Sequence, residues 1–441
     1  MSLACRLALL PATLTRMQPP TASSNFPAIR VPALLTFLAL IVGFVIGNLF
    51  QGIAGFAPIL AAAEEVGSLW LKLLQLTILP LVIGLVVTGI SQTLAAARGG
   101  WLARRAVLFF VLVLLCAGVM AALLVPALLE LLPIPRASVA ALSGGGMDPG
   151  KVPELAEILD AMVPSNILFA AANNAMLPVV LFAAVFALAL TRIAQGPRQL
   201  MVQFFEGLAA AMMVIVGWVL MLAPIGVFGL AVSLAAQTGA DAIGGLAHYI
   251  LIVSATGLVV LLASIVIALT LGGRSSGAFA RAMVPVYAVA ISTQSSLASL
   301  PAMLAASRKL GVRGSTADFV LPLAVAIFRG TSPAMNMAVA IYVAYLTGTP
   351  LSAWTLAAGV FVAFLVSLSS VSLPGTLSFV VSVGPIAMAM GVPIEPLALL
   401  VAVEMLPDIM RTLGNVTADV AVTAAVDRND ERTGTQPPTA G

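Results

Sequence analysis

Charge is what this 441-residue chain has least of. Asp, Glu, Lys and Arg together make up 8% of it, against about 25% in soluble domains. With 61% hydrophobic residues and a mean hydropathy of +1.13, the composition excludes an ordinary soluble domain and reads as a polytopic membrane protein. Histidine is reduced to His248 and cysteine to Cys5 and Cys116. One histidine without a cysteine cluster argues against a catalytic zinc or haem site. Cys116 lies in an apolar run, so there is no disulfide framework. No Gly-x-Ser-x-Gly elbow stands beside a usable histidine, and no enzyme activity or cofactor is expected. The net charge of +3 is explained by loop Lys and Arg rather than by a nucleic-acid patch. Residues 145–151, GGMDPGK, approach a Walker A loop but lack the closing Ser or Thr, and read as a flexible loop.

What is abundant is glycine, proline and long apolar runs, with 37 Gly and 28 Pro. Spanning helices are expected over 31–50, 69–90, 107–129, 176–190, 208–234, 243–271, 320–345 and 394–426, with 176–190 a half-span or bent element. Two further apolar stretches, about 277–310 and 351–390, have Ser-rich centres followed by Pro. They read as re-entrant hairpins, with Pro-kinked spanning helices as the alternative. Irregular backbone at membrane depth survives only when buried in protein or lining a polar cavity. Arg98, Arg104, Arg105, Arg192, Arg198, Arg274, Arg281, Arg308, Lys309, Arg313 and Arg428 follow spans or the first hairpin. The segment 130–160 is instead mainly acidic. The positive-inside rule then puts both termini in the cytoplasm and 130–160 outside. The hairpins would open from opposite sides, as in an inverted repeat. Residues 1–29 read as a disordered cytosolic arm and 428–441 as a disordered tail. The fold class expected is therefore an all-α polytopic membrane protein of eight transmembrane helices and two re-entrant hairpins.

The last apolar stretch carries charges on one face. In EMLPDIMRTLGNVTAD, residues 404–419, helical spacing puts Glu404, Asp408, Arg411, Thr412, Asn415 and Asp419 within an arc of roughly 100°. A charge at the bilayer centre costs at least ~2.5 kcal/mol, so these groups need partners, water or a function. Such a stripe suits a site for a charged solute; a cytosolic amphipathic helix is the bland alternative. The Ser-rich stretch 292–301 is either a hairpin tip that offers N–H groups and hydroxyls to a carboxylate or a packing face of small residues.

Five segments together resemble the dicarboxylate/amino acid:cation symporter family, which includes the glutamate transporters. They are LQLTILPLVIGLVVTGI (74–90), WVLMLAPIGVFGL (218–230), STQSSLASLPA (292–302), VLPLAVAI (320–327) and MRTLGNVTAD (410–419). The resemblance implies a homotrimer of elevator transporters within residues 30–427. Its scaffold would be about 30–95 and 160–236. Its moving domain would be about 103–130 and 243–427. It implies that Arg411 holds the distal carboxylate of an acidic substrate, to which a guanidinium fork is suited. Asp408 would hold the ammonium. Asn415 and the backbone around Ser295 and Ser296 would hold the α-carboxylate, with Thr412 adding a hydroxyl. Ser332 aligns with a further substrate-binding position. Asp419 would bind the coupling cation, sodium or a proton, and Ser372, Leu373, Pro374 and Gly375 would form the outer gate. An inner bacterial membrane location follows from the same resemblance, with lipid and a small anionic substrate as partners.

The departures are as informative. Where the family carries Asn-Met-Asp-Gly-Thr, ungapped counting gives Phe328, Arg329, Gly330, Thr331 and Ser332. In the third span Val113 and Cys116-Ala117 replace the family's hydroxyl ligands. Asn336-Met337 lies two turns too late to substitute. Arg329 is then a built-in cation beside Asp419 or Asp408, a direct substrate ligand, or a side chain snorkelling to the interface. If it replaces an ion, coupling passes to fewer sodium ions or to protons through Glu404 or another acid. The leading reading is a symporter for aspartate or glutamate. The alternatives are a C4-dicarboxylate symporter, an anion channel, a transporter-like sensor and, least supported, a membrane enzyme.

Overall fold

The computed structural model describes residues 32–50, 53–136, 138–139, 163–173, 175–238, 241–369 and 375–433. Apart from turns and short connections, the described residues are helical, without a strand. The elements are α1 (Ala33–Leu49), α2 (Ala57–Ala97), α3 (Trp101–Leu131), α4 (Ile167–Ala172), α5 (Met176–Leu190), α6 (Gln195–Met221), α7 (Ala223–Thr238) and α8 (Asp241–Thr270). They continue as α9 (Ser276–Thr293), α10 (Ser296–Lys309), α11 (Gly314–Ile327), α12 (Ser332–Thr347), α13 (Ala353–Ser369), α14 (Gly375–Ala389), α15 (Leu397–Val403) and α16 (Met405–Thr433).

Among the described residues, four helices are long and apolar enough to cross a membrane: α2, α3, α6 and most of α8. Three of the eight expected spans are instead discontinuous. The 208–234 run breaks at Leu222, because Pro224 has no N–H for the Leu220 carbonyl. The 320–345 run unwinds over 328–331, where Gly330 and Pro333 both disfavour helix. The 394–426 run lapses at Glu404, where Pro407 cannot donate to Val403. Continuous apolar character hid these breaks, because hydropathy does not register backbone donors.

The 277–310 stretch forms two helices, α9 and α10, packed against each other. The turn falls at Gln294, which is left-handed (φ 48°) and the only such non-glycine residue among those described. Ser295 caps α10 by accepting from the Ala298 N–H at 3.2 Å. The prolines are not what breaks this stretch: Pro285 and Pro301 both lie inside helices. In the 351–390 stretch α13 packs on α14. Its tip, with Ser372, Leu373 and Pro374, lies outside the described residues, while Gly375 begins α14.

Two sets of helices pack mainly among themselves. In one, α2 lies against α5, α6 and α7, and α1 against α7. In the other, α16 lies along α8 and touches α3, α9, α10 and α11, while α12 is enclosed by α3, α8, α13 and α14. Every residue of α12 from Ser332 to Ala344 is buried. Such all-round burial fits its run of small and apolar residues. The expected disordered tail is partly helical, since α16 runs to Thr433 and Arg428 donates to the Thr270 carbonyl that ends α8 (2.8 Å). The expected N-terminal arm, Cys5 and the 145–151 loop lie outside the described residues.

Candidate functional site

Glu404, Asp408, Arg411, Thr412, Asn415 and Asp419 are all buried, each no more than 5% exposed. Asp408, Arg411, Thr412, Asn415 and Asp419 lie on α16 and Glu404 on the break before it, and the rest of the fold closes over all six.

Arg411 is the hub. Its Nη2 donates to Glu404 Oε1, and its Nη1 donates to Asn336 Oδ1 at 2.8 Å. Its Nε lies 3.3 Å from Asp408 Oδ1, an ion pair without hydrogen-bond alignment. Glu404 uses its second oxygen as well, accepting from the Tyr249 hydroxyl of α8 at 2.9 Å. Tyr249 is fully buried, edge-on to Tyr342 of α12. Three helices and the Glu404 break thus converge on one guanidinium.

The unwound strap 328–331 lies on α16. Asn415 Oδ1 accepts from both the Thr331 N–H (3.0 Å) and the Thr331 hydroxyl (2.7 Å), and that hydroxyl is also 3.1 Å from the Arg411 carbonyl. Two glycines allow the approach. A Cβ on Gly414 would stand 2.3 Å from Thr331 Cγ2, and one on Gly330 would stand 2.8 Å from Ala418 Cβ. The strap carries Arg329, buried and within electrostatic reach of Asp408 and Asp419. Arg329 therefore does not snorkel to an interface.

Several buried polar atoms around this cluster lack a hydrogen-bond partner among the described residues: Ser332 Oγ, Asn336 Nδ2, Arg411 Nε and both carboxylate oxygens of Asp419. Ser332 and Asn336 are one helical turn apart on α12, so they share a face. Buried polar groups are nearly always satisfied, so orphaned donors beside a guanidinium suit a carboxylate ligand.

In the structure Asp408, Arg411, Asn415 and Asp419 lie on α16 and are buried. Two features go beyond the sequence-based expectation: the helix lapses at Glu404, and Asn336, which ungapped counting leaves outside the family's Asn-Met-Asp position, accepts from Arg411. Tyr249 was missed altogether; a tyrosine in an apolar run, on a chain with four Tyr in all, was the available signal. Ser295 and Ser296 stand at the start of α10, which packs on α16, and the Ser295 hydroxyl is occupied as a helix cap. Thr412 is buried on the same face of α16. Among the described residues no group of three or more His, Cys, Asp or Glu is arranged to hold a metal ion.

The sequence model of the sodium:dicarboxylate symporter family matches residues 33–429. The chain is 27% identical to C4-dicarboxylate transport protein 1 of Pseudomonas paraeruginosa, over 89% of this chain and 88% of that protein. It is 26% identical to the proton/sodium-glutamate symport protein of Bacillus subtilis, over 89% and 91% respectively. It is also 26% identical to the proton/glutamate-aspartate symporter of Escherichia coli, over 80% and 82%.

Proposed function

The chain belongs to the sodium:dicarboxylate symporter family, and we propose that it is a secondary transporter that binds a small dicarboxylate anion at Arg411. The observation that carries this is a buried guanidinium surrounded by orphaned donors, Ser332 Oγ and Asn336 Nδ2, with its own Nε poorly aligned to Asp408. A substrate carboxylate would take these donors and share the Arg411 fork with Glu404. Arg411 has five N–H donors, so it can serve an internal and an external acid together.

An acidic amino acid is the favoured substrate, with Asp408 receiving its ammonium. Asn415 would offer its amide N–H2 to the second carboxylate, because its oxygen is held by Thr331. A C4-dicarboxylate is supported by a different observation. Asp408 already faces Arg411 at 3.3 Å and lies in the field of Arg329, so its charge is met without an ammonium. Relatives are named for both substrate classes.

Uptake would be coupled to a cation gradient, sodium or protons. The α9–α10 and α13–α14 pairs would act as gates, the second set of helices would move as a body against the first, and three copies would assemble in an inner membrane. The packing described above is compatible with such a division.

The test is uptake of radiolabelled L-aspartate and, separately, succinate by the full chain in proteoliposomes, with sodium and proton gradients imposed one at a time. Saturable accumulation of either supports the reading and selects the substrate class. Flux that rises linearly without saturation would make it a channel. No flux of either would overturn the proposal.

A further inference from the structure

A buried carboxylate needs a counter-charge. Asp419 is fully buried on α16, and neither of its oxygens has a hydrogen-bond partner among the described residues. An isolated ionised carboxylate in such a place is strongly disfavoured. The family's description names sodium, so a metal ion is the first candidate to weigh. A hard cation is held by several oxygens at short range. Among the described residues, the side chains that pack beside Asp419 are mainly apolar, and the nearby Asn415 oxygen is engaged by Thr331. Ala418 and Val422, its neighbours on α16, belong to an apolar cluster with Phe110, Leu114 and Phe328. Phe328 stacks on Phe110 with ring centroids 4.6 Å apart, and Val113 packs against the same cluster. Gly330 has no side chain to offer. Cys116 and Ala117, on the same helix as Val113, bring no oxygen either.

The charge present instead is Arg329. The strap holds it in the core and packs on α16 where Gly330 meets Ala418, the residue next to Asp419, so its charge acts on both Asp408 and Asp419. Arg411 is taken up by Glu404 and Asp408. Arg411 thus engages Glu404 and Asp408, while Arg329 acts on Asp408 and on Asp419, for which it is the cation within reach among the described residues. The strap's position follows from Gly330, Gly414 and the Thr331–Asn415 hydrogen bonds, so Arg329 is delivered by backbone geometry and does not depend on a flexible side-chain excursion.

We infer that Arg329 is a tethered counter-cation for Asp419, occupying by covalent attachment the role of a sodium ion, so that this acid binds no metal. This rests on the transporter reading only for its transport consequence. Arginine stays protonated and keeps its charge, so the counter-charge travels with the protein rather than being drawn from the medium. Substrate binding is then independent of sodium at this position.

The test has two arms on the purified full chain. The first is thermal unfolding in detergent in NaCl or in choline chloride at equal ionic strength, for the unmodified chain, Arg329→Met, Asp419→Asn and the double variant. Expected are the same midpoint for the unmodified chain in both salts, and a loss of about 5 °C or more for Arg329→Met. The double variant should recover more than half of that loss, because the uncompensated acid is gone. A sodium-specific rise of the unmodified chain would mean that strap carbonyls bind the metal beside Asp419, and would overturn the inference. A double variant no better than the sum of the single changes would overturn it too, including the case where neither folds. The second arm is uptake of L-aspartate or succinate, unchanged when choline replaces sodium. Strict sodium dependence of both uptake and stability defeats the inference while leaving the transporter reading intact. Absence of uptake defeats that reading and leaves the unfolding cycle to decide Arg329.

Discussion

Arg411 is held by Glu404, Asn336 and Asp408 before any ligand arrives, and Glu404 is itself held by Tyr249. The cluster is thus pre-formed around its cation, and the proposed substrate carboxylate would bind by exchange among acceptors. Two predictions follow at this scale. Asn336→Ala removes a 2.8 Å acceptor from the guanidinium and frees it to collapse onto Glu404. A hydrogen bond to a charged group is worth about 1.5–3 kcal/mol, so half-saturation for substrate should rise about tenfold or more in concentration-dependent uptake. An unchanged value would show that Asn336 only fills space. Tyr249→Phe keeps the ring against Tyr342 but removes the donor to a fully buried carboxylate. It should lower stability by about 1–3 kcal/mol, read as a drop in the thermal midpoint in detergent.

The elements that matter most are those that fail as helices. The strap exists because Gly330 and Pro333 interrupt a long apolar run, and it lies flat because Gly414 offers no Cβ. Gly414→Ala would press a methyl toward Thr331 Cγ2. Overpacking of this kind costs typically 1–3 kcal/mol. Adding Thr331→Ser removes that methyl and keeps the hydroxyl, so the pair should recover stability and uptake lost by Gly414→Ala alone. At the far end of α16 a fully buried carboxylate, Asp427, pins both ends of the α9–α10 pair. Arg313 Nε donates to it at 2.8 Å and Arg274 Nη2 at 3.4 Å, and Arg274 also donates to the Leu310 carbonyl. The pair is therefore tied to α16 at its base, and again nearer its tip by the Tyr287 and Thr417 hydroxyls at 3.0 Å. Asp427→Asn should loosen the base, seen as faster hydrogen exchange over residues 271–314 with little change near Gln294.

For the molecule as a whole, the exposed surface is rich in large apolar side chains such as Leu76, Leu123, Leu131 and Phe169. That pattern suits lipid or a neighbouring copy rather than water. The proposed homotrimer predicts a detergent-corrected mass near three times 45.0 kDa in light scattering. A mass near 45.0 kDa under mild detergent would remove the trimer from the proposal and leave the site unaffected. The two helix sets meet where α13 and α14 touch α2, so any relative movement must slide across that contact.

By itself the sequence determined the membrane class, the all-helical character and the polar stripe from Glu404 to Asp419. Each of these is a local quantity: apolar content over a window, or the fixed 100° step of a helix. It also located the turn of the first hairpin to within a few residues, through the cluster of serines and Gln294. Only the tertiary structure decided what the stripe faces. Glu404 meets Tyr249, Arg411 meets Asn336 and Asn415 meets Thr331 across 155, 75 and 84 residues of chain respectively. No periodicity encodes such pairs, because they depend on where separate helices come to rest. The strap shows the limit most plainly. Its breakers were visible in the sequence, but that they bring Arg329 into the core within electrostatic reach of Asp408 and Asp419 depends on two missing Cβ atoms and one Asn–Thr contact, which only packing brings together.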